Sequence, residues 1–437
     1  MKPLIVKISD KFVPEKSYVI NFVLKEILGI EYLILTGEYN NYIFEFPNGK
    51  ILTLSDDFFA RVEIDYIKPE NIPVKLKMLN CAEIAELPIM FGDERISISE
   101  DHIHCGIDII SSVFFMITRW EEIAVPEKDE HGRFPGKISL AVKENFIGRP
   151  IVNEYAILLR SFIIELDPDV EMKDHENKIT LTSDIDDYRK FSNFNIFKKL
   201  VGDILKRHSL KMFYQNFRDF CMKILINSKD PYNTFEELIQ ISEFTTEKPV
   251  FFIPVAEKSI YDSGWFADQD FSKTAELILE NGGEIGLHYG YDSMSSLDNI
   301  LSEKELLEKK LNIKVDSVRA HFLRFDVEIS FDLLQKAGFK NEYSLGYSRY
   351  AGFRCGTSYP FRPWNFKERK PYDIIEHPLI VMDATLNSHI KMNKTEIIDE
   401  IKKYKHIIDA YGGDLILLLH NSSPEFVFKA FKEALKL

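Results

Sequence analysis

Four short segments of this 437-residue chain carry ionisable side chains where strands are expected to end. In residues 178–187, Ile179, Leu181, Ser183 and Ile185 fall on one parity, and Thr180, Thr182, Asp184 and Asp186 on the other. Strand side chains alternate faces, so Asp184 and Asp186 share a face with Cα atoms roughly 6.6–7 Å apart. That separation suits one carboxylate as a metal ligand while the other holds a water. A strand end running into an acidic, solvated loop through Asp187 is the plainer reading of the same residues. In residues 283–293, His288 closes an apolar strand, and Asp292, four residues on, becomes a second ligand if the loop turns helically. In residues 317–325, Arg319, His321 and Leu323 lie opposite Val318, Ala320 and Phe322, a pattern suited to a strand facing a polar cavity. In residues 414–422 the first free polar position of a buried strand is His420. Loops at the C-terminal ends of parallel strands build active sites. An Asp pair, histidines and an Arg at such ends therefore predict one shared site.

The elements that must position these residues follow a strand, loop, helix rhythm. Strands are expected at 179–184, 249–255, 284–288, 317–323, 374–382 and 414–420. Ser302, Glu303, Lys304 and Glu305 read as a capping box opening a helix. Residues 395–411 carry a 3.6-residue apolar stripe ended by Gly412 and Gly413, and further helices end at Gly282 and Gly338. Repeated βα units imply a largely parallel sheet or a barrel. The preceding stretch is different: short strand-like runs at 32–36, 42–46 and 51–54, a helix at 107–122, a polar loop at 127–135 and a helix at 151–166. A charged hinge over 167–178, containing Pro168, Lys173, Asp174, His175 and Glu176, marks the expected boundary between domains 1–175 and 176–437.

Composition narrows the classes. A hydrophobic fraction of 45% and an aromatic fraction of 13% belong to an ordered globular chain. Fifty-five Lys and Arg against 69 Asp and Glu, a net charge of −14, argue against a nucleic-acid scaffold, since phosphate binding is led by basic excess. Cys81, Cys105, Cys221 and Cys355 are scattered without a CxxC, forming neither a disulfide framework nor a zinc knuckle. No apolar run reaches membrane-spanning or signal-peptide length, so a cytoplasmic protein without a membrane span is expected.

In this order the segments resemble the polysaccharide deacetylase family, the NodB-homology carbohydrate esterase fold. Thr182-Ser183-Asp184-Ile185-Asp186 looks like its Asp-x-Asp motif, which implies Asp184 as catalytic base and Asp186 as metal ligand. Gly286-Leu287-His288 is similar to its metal-histidine motif. Arg319 with Phe322-Leu323-Arg324 is similar to the motif that buttresses the base, and Leu418-Leu419-His420 to the strand bearing the general acid. Asp292 stands where the family's second metal histidine falls, so the third ligand is Asp292 or His321. Arg119-Trp120-Glu121-Glu122, His131-Gly132-Arg133-Phe134-Pro135 and Arg149-Pro150 resemble the uncharacterised domain preceding the deacetylase domain in a branch from bacterial surface-polysaccharide gene clusters. Ser344-Leu345-Gly346-Tyr347 and Gly352-Phe353-Arg354-Cys355-Gly356-Thr357 look like that branch's loop insert.

The resemblance implies an irregular (β/α) barrel of about seven strands behind a smaller α/β domain. It implies a hydrolase removing an N-acetyl or O-acetyl group from a sugar in capsule, O-antigen or other surface-polysaccharide biosynthesis. The cofactor would be a divalent metal, zinc foremost. The substrate would be a nucleotide-sugar, a lipid-linked sugar or an oligosaccharide, with Arg324, Arg354, Asp383 and Tyr289 as candidate contacts. An inactive sugar-binding member of the fold and an Asp-x-Asp glycosyltransferase are the rival readings. Three other stretches are expected to be structural: 101–105 with His102 and His104 as a half-buried strand, Arg119 to Glu122 as a helix end with ion pairs, and 190–211 as a solvated helix.

Overall fold

The computed structural model describes residues 3–81, 84–173, 175–190 and 229–436. The predicted helix over 190–211 lies, apart from Lys190, outside them, as does Asp174. No described helix is long and apolar enough to cross a membrane.

The first half is built on a six-stranded mixed sheet. Its strands are β1 (Leu4–Ser9), β2 (Tyr32–Gly37), β3 (Asn41–Glu45), β4 (Ile51–Ser55), β7 (Gly92–Ile98) and β8 (His102–Ile107), in the order β2-β1-β3-β4-β8-β7, with a small ribbon of β5 (Lys77–Leu79) and β6 (Leu87–Ile89) beside it. Alternation sets the buried face: Leu4, Val6 and Ile8 of β1 are covered while Ile5 and Lys7 are partly open. The helices Ile109–Thr118 and Ile151–Leu166 pack on this half. The sequence predicts one helix over 107–122, but the helix starts only at Ile109 and is broken once, between Thr118 and Glu121. Asp108 is an N-cap, accepting from the Ser111 N–H at 2.9 Å, and Arg119 takes a left-handed backbone (φ 55) that ends the helix. The 101–105 histidine stretch forms part of β8, as expected of a half-buried strand.

The second half is an eight-stranded sheet: β9 (Lys178–Asp184), β10 (Val250–Ile253), β11 (Glu284–Tyr289), β12 (Ser317–Ala320), β13 (Asn341–Glu342), β16 (Ile375–Glu376), β17 (Leu379–Met382) and β18 (Asp414–Leu418). A two-stranded ribbon, β14 (Trp364–Asn365) with β15 (Lys370–Pro371), lies between β13 and β16 in sequence. The order is β16-β13-β12-β11-β10-β9-β18-β17, and every pairing is parallel. β16 and β17 are opposite edges, yet only His377 and Pro378 separate them. Three Cα steps reach at most about 11 Å, so the sheet curls until its edges nearly meet. Inside the curl a small core gathers Val250, Phe252, Tyr343, Leu379, Met382, Ile416 and Leu418. Crossover helices cover the outside.

Three local expectations are corrected. Strand 317–323 stops at Ala320 because Phe322 (φ 61) and Leu323 (φ 50) turn left-handed. Strand 374–382 is two strands, split at the proline, which has no N–H to give a ladder. The helix expected to open at Ser302 begins a turn and a half earlier, at Leu297, capped by Ser296 (Leu297–Leu311), and Glu303 turns inward to accept from the Ser293 hydroxyl and the Gly290 N–H. The longer stripe holds: Lys394–Tyr411 is one helix, opened by an Asn393–Glu396 capping box. The eighth strand was missed because β13 is two residues long and shows no period.

Candidate metal centre

Asp186, His288 and His321 come together at the C-terminal end of the parallel sheet, one ligand-type atom of each within 4.8 Å of the others. Each arrives from a different element. Asp186 lies two residues beyond β9, its loop held by Ser263 Oγ donating to the Asp186 carbonyl (2.7 Å) and Trp265 Nε1 donating to that of Ile185 (2.9 Å). His288 is in β11, and His321 is the first residue after β12. Asp186 Oδ1 is 3.3 Å from His288 Nε2 and 3.6 Å from His321 Nε2, and it is a buried oxygen without a hydrogen-bond partner. The two imidazoles are turned the same way. His288 Nδ1 is 3.2 Å from the Arg319 carbonyl and His321 Nδ1 is 2.8 Å from Asp262 Oδ1, so both Nε2 atoms are left facing Asp186. An imidazole whose far nitrogen is held by an acceptor, with its near nitrogen directed at a carboxylate, is the arrangement of metal-binding histidines. One carboxylate and two imidazoles suit zinc and similar divalent ions. The residues present therefore fit a metal.

Electrostatics follow the geometry. Burial pushes the Asp186 carboxyl up, but the three histidines around it outweigh that and hold it well below the usual range. Burial disfavours charge on His321, but the bond to Asp262 and the nearby Asp186 carry its pKa upward. Burial likewise opposes charge on His420, but the Asp383 carboxylate beside it raises its pKa to about 10.

Around this group sit two braced pairs. Arg319, fully buried, donates from Nη1 to Asp184 Oδ1 (2.9 Å) and Thr182 Oγ1 (2.8 Å), and from Nε to the Tyr343 carbonyl (2.9 Å). Its guanidinium lies 4.5 Å over the Phe252 ring. Asp184 keeps Oδ2 on the metal side, 3.6 Å from His288 Nε2. The second pair is His420 and Asp383: Nδ1 to Oδ1 is 2.6 Å, the His420 N–H donates to Asp383 Oδ2 (2.8 Å), and Ser423 also donates to that carboxylate. His420 Nε2 then points inward, 3.9 Å from Asp186 Oδ2.

Of the residues singled out in the sequence, Asp184, Asp186, His288, Arg319, His321, Asp383 and His420 converge. Asp292 does not. It is exposed on the 3-10 turn Tyr291–Ser293 and is not part of the group, because that turn aims the backbone N–H of Tyr291 inward and leaves Asp292 outside. Tyr289 alternates to the opposite face from His288 and is buried in the outer core. Arg354 is committed to Glu122 and the Gly346 carbonyl, and Arg324 to the carbonyls of His131 and Tyr291. The Arg354 charge is neutralised by Glu122, whereas Arg324 gives Nε and Nη1 to neutral carbonyls and has no carboxylate partner among the described residues. Asp262 was missed. It lies in an aperiodic turn, and the one signal for it was its place in the loop that leaves the C-terminal end of β10, nine residues after Ile253.

A family of unknown function, DUF7033, matches residues 4–168, which leaves the eight-stranded sheet outside the match. No curated protein matches the chain in sequence. Among solved structures, a Mycobacterium smegmatis protein proposed to be a polysaccharide deacetylase is 15% identical at a TM-score of 0.38, over 60% of this chain and 84% of that one. A family 4 carbohydrate esterase pseudoenzyme from Bacillus anthracis is 11% identical at 0.31, over 60% of each chain. A family 4 carbohydrate esterase from Streptomyces lividans, solved with acetate, is 10% identical at 0.29, over 60% of this chain and 88% of that one. At such scores and identities the function has to be argued from the site itself.

Proposed function

We propose that the chain is a metal-dependent carbohydrate deacetylase, hydrolysing an N-acetyl or O-acetyl group on a sugar of surface-polysaccharide biosynthesis, with residues 1–175 as a separate domain ahead of the deacetylase domain 176–437. The observation that carries this reading is the Asp186–His288–His321 group flanked by one braced carboxylate and one braced imidazole. Asp186, His288 and His321 would hold the ion. When bound, a divalent ion acidifies water and polarises an acyl oxygen. Asp184 Oδ1 is occupied by Arg319, so Oδ2 is the atom that accepts the proton of the attacking water. Asp383 fixes His420 through Nδ1, which leaves Nε2 to deliver a proton to the departing amine or hydroxyl. The acyl C–N or C–O bond breaks, the water oxygen stays on acetate, and the sugar leaves with the proton.

The test is acetate release from N-acetylated and O-acetylated sugars, with bound metal measured on the same protein. Asp184→Asn should retain metal and lose at least about a hundredfold in turnover, the scale of one proton-transfer group. Turnover at the wild-type rate in Asp184→Asn, or release of a sugar from a nucleotide donor in place of acetate, would refute the assignment.

A further inference from the structure

The six-stranded sheet of the first half ends on one side in β2, and no described strand pairs with the outer edge of β2. An unpaired strand edge is a template for another strand, and charges, prolines or bulges normally guard it. The opposite edge, β7, has such guards: Asp93, Glu94 and Arg95 lie in it, and its register shifts between Gly92 and Ile96. β2 has none. Its residues 32–37 include neither a charge nor a proline, and its pairing with β1 is unbroken over all six. Leu33 and Leu35 are 55% and 46% exposed on one face of it.

Backbone alternation fixes which groups the edge offers. The Gly37 carbonyl accepts from the Asp10 N–H at 3.2 Å, so Gly37, and with it Leu35 and Leu33, directs its backbone groups at β1. Tyr32, Ile34 and Thr36 then direct N–H and C=O outward. With a second copy lying antiparallel, Ile34 opposite the partner subunit's Ile34, those two residues exchange a pair of hydrogen bonds. Tyr32 does the same with the partner subunit's Thr36, and Thr36 with the partner subunit's Tyr32, so all six outward N–H groups of the two strands are satisfied. The same register sets Leu33 against the partner subunit's Leu35 at the closely spaced positions, where the four exposed leucines cover one another. Glu31 falls opposite the partner subunit's Gly37, and Glu38 opposite the partner subunit's Ile30, so no like charges meet. This match of the edge to itself, in backbone, apolar face and charge, selects a second copy over an unrelated strand. We infer that the chain pairs through β2 into a two-fold dimer whose sheet runs on across both subunits. The first half thereby gains a task of its own, assembly, which makes no use of Asp186, His288 or His321.

Sedimentation equilibrium of the full-length protein over a concentration series tests this. The mass should rise from 51.0 kDa toward twice that value and stop there. Leu33→Lys with Leu35→Lys, changes at exposed side chains, should weaken association at least about tenfold, because like charges then lie opposite each other. Leu33→Lys with Leu35→Glu should recover most of that loss at low salt, since position 33 of one subunit meets position 35 of the other and the introduced charges are opposite. Thr36→Pro is the independent variant: it deletes an outward N–H at an exposed edge position, where a strand tolerates proline, and should weaken association about tenfold. Circular dichroism melting checks that each variant is folded. A mass of 51.0 kDa at every concentration up to about 100 μM overturns the self-pairing and leaves the edge to a strand of another protein. A dimer unmoved by the variants, equal weakening by the two double substitutions, or growth beyond a dimer overturns it as well.

Discussion

At the scale of single residues, the group that comes together is Asp186, His288 and His321, the last from the end of another strand, while Asp292 stays on the turn after β11. His321 follows β12 directly, and Asp262 holds its Nδ1. This makes Asp262 a positioning residue. Asp262→Asn should weaken zinc binding about 10–100-fold, as loss of an imidazole's supporting acceptor does, His321→Ala should weaken it further, and Asp292→Asn should leave it unchanged. Calorimetric zinc titration of the three variants checks the ranking, and a loss confined to Asp292→Asn would reverse the assignment. The types and strand-end positions of Asp184, Asp186, His288, Arg319 and His420 were legible from parity alone. The choice between Asp292 and His321 was not, because it depends on where β12 ends. That end is set by two left-handed residues, Phe322 and Leu323, whose types do not announce such a turn.

At the scale of elements, β13 and β16 put Glu342 directly beside Glu376, both buried. Glu342 accepts from the Ser344 N–H at 2.9 Å and from its hydroxyl, while one oxygen of Glu376 is buried with no partner. Burial first, then the neighbouring Glu342 charge, raises the Glu376 pKa well above its ordinary 4.5. A carboxyl that is harder to ionise when folded contributes stability that is complete below its unfolded pKa and is lost as pH rises through the folded one. Glu376→Gln keeps the neutral shape and removes that titration. Its stability relative to wild type should therefore grow as pH rises above 4.5, at up to about 1.4 kcal/mol per pH unit for one proton. Urea unfolding of both proteins from pH 5 to pH 8 reads this directly, and parallel curves would show that Glu376 does not titrate there. The two-residue β13 was invisible in the sequence and β16 was read as part of one longer strand, whereas the eighteen-residue helix Lys394–Tyr411 was plain, because periodicity needs length to register.

At the scale of the whole molecule, buried polar contacts tie the two halves together. Arg354 pairs with Glu122, Arg119 donates to the Tyr347 hydroxyl (3.1 Å), and Asn153 bonds Ser358 Oγ (2.9 Å) and Thr357 Oγ1 (2.8 Å). Removing one partner of such a pair leaves the other charge buried, so Glu122→Ala should cost about 3–5 kcal/mol in denaturant unfolding. Replacing both Glu122 and Arg354 by Leu should recover most of that loss. A cost under about 1 kcal/mol for the single change would mean that water reaches the pair. Residues 176–437 expressed alone should be unstable for the same reason, having lost the partners of Arg354, Tyr347 and Thr357. The sequence supplied the ion-pairing residues around Arg119 and the loop insert separately. Their meeting across more than two hundred positions is a tertiary fact that neither segment carries by itself.

The central claim is that Asp186, His288 and His321 hold a divalent ion. The most direct test is the metal content of full-length protein purified without chelator, wild type beside His321→Ala. About one zinc or similar ion per chain in the wild type, and almost none in a folded His321→Ala, is the predicted result. No stoichiometric metal in the wild type, or equal metal in both proteins, would contradict it.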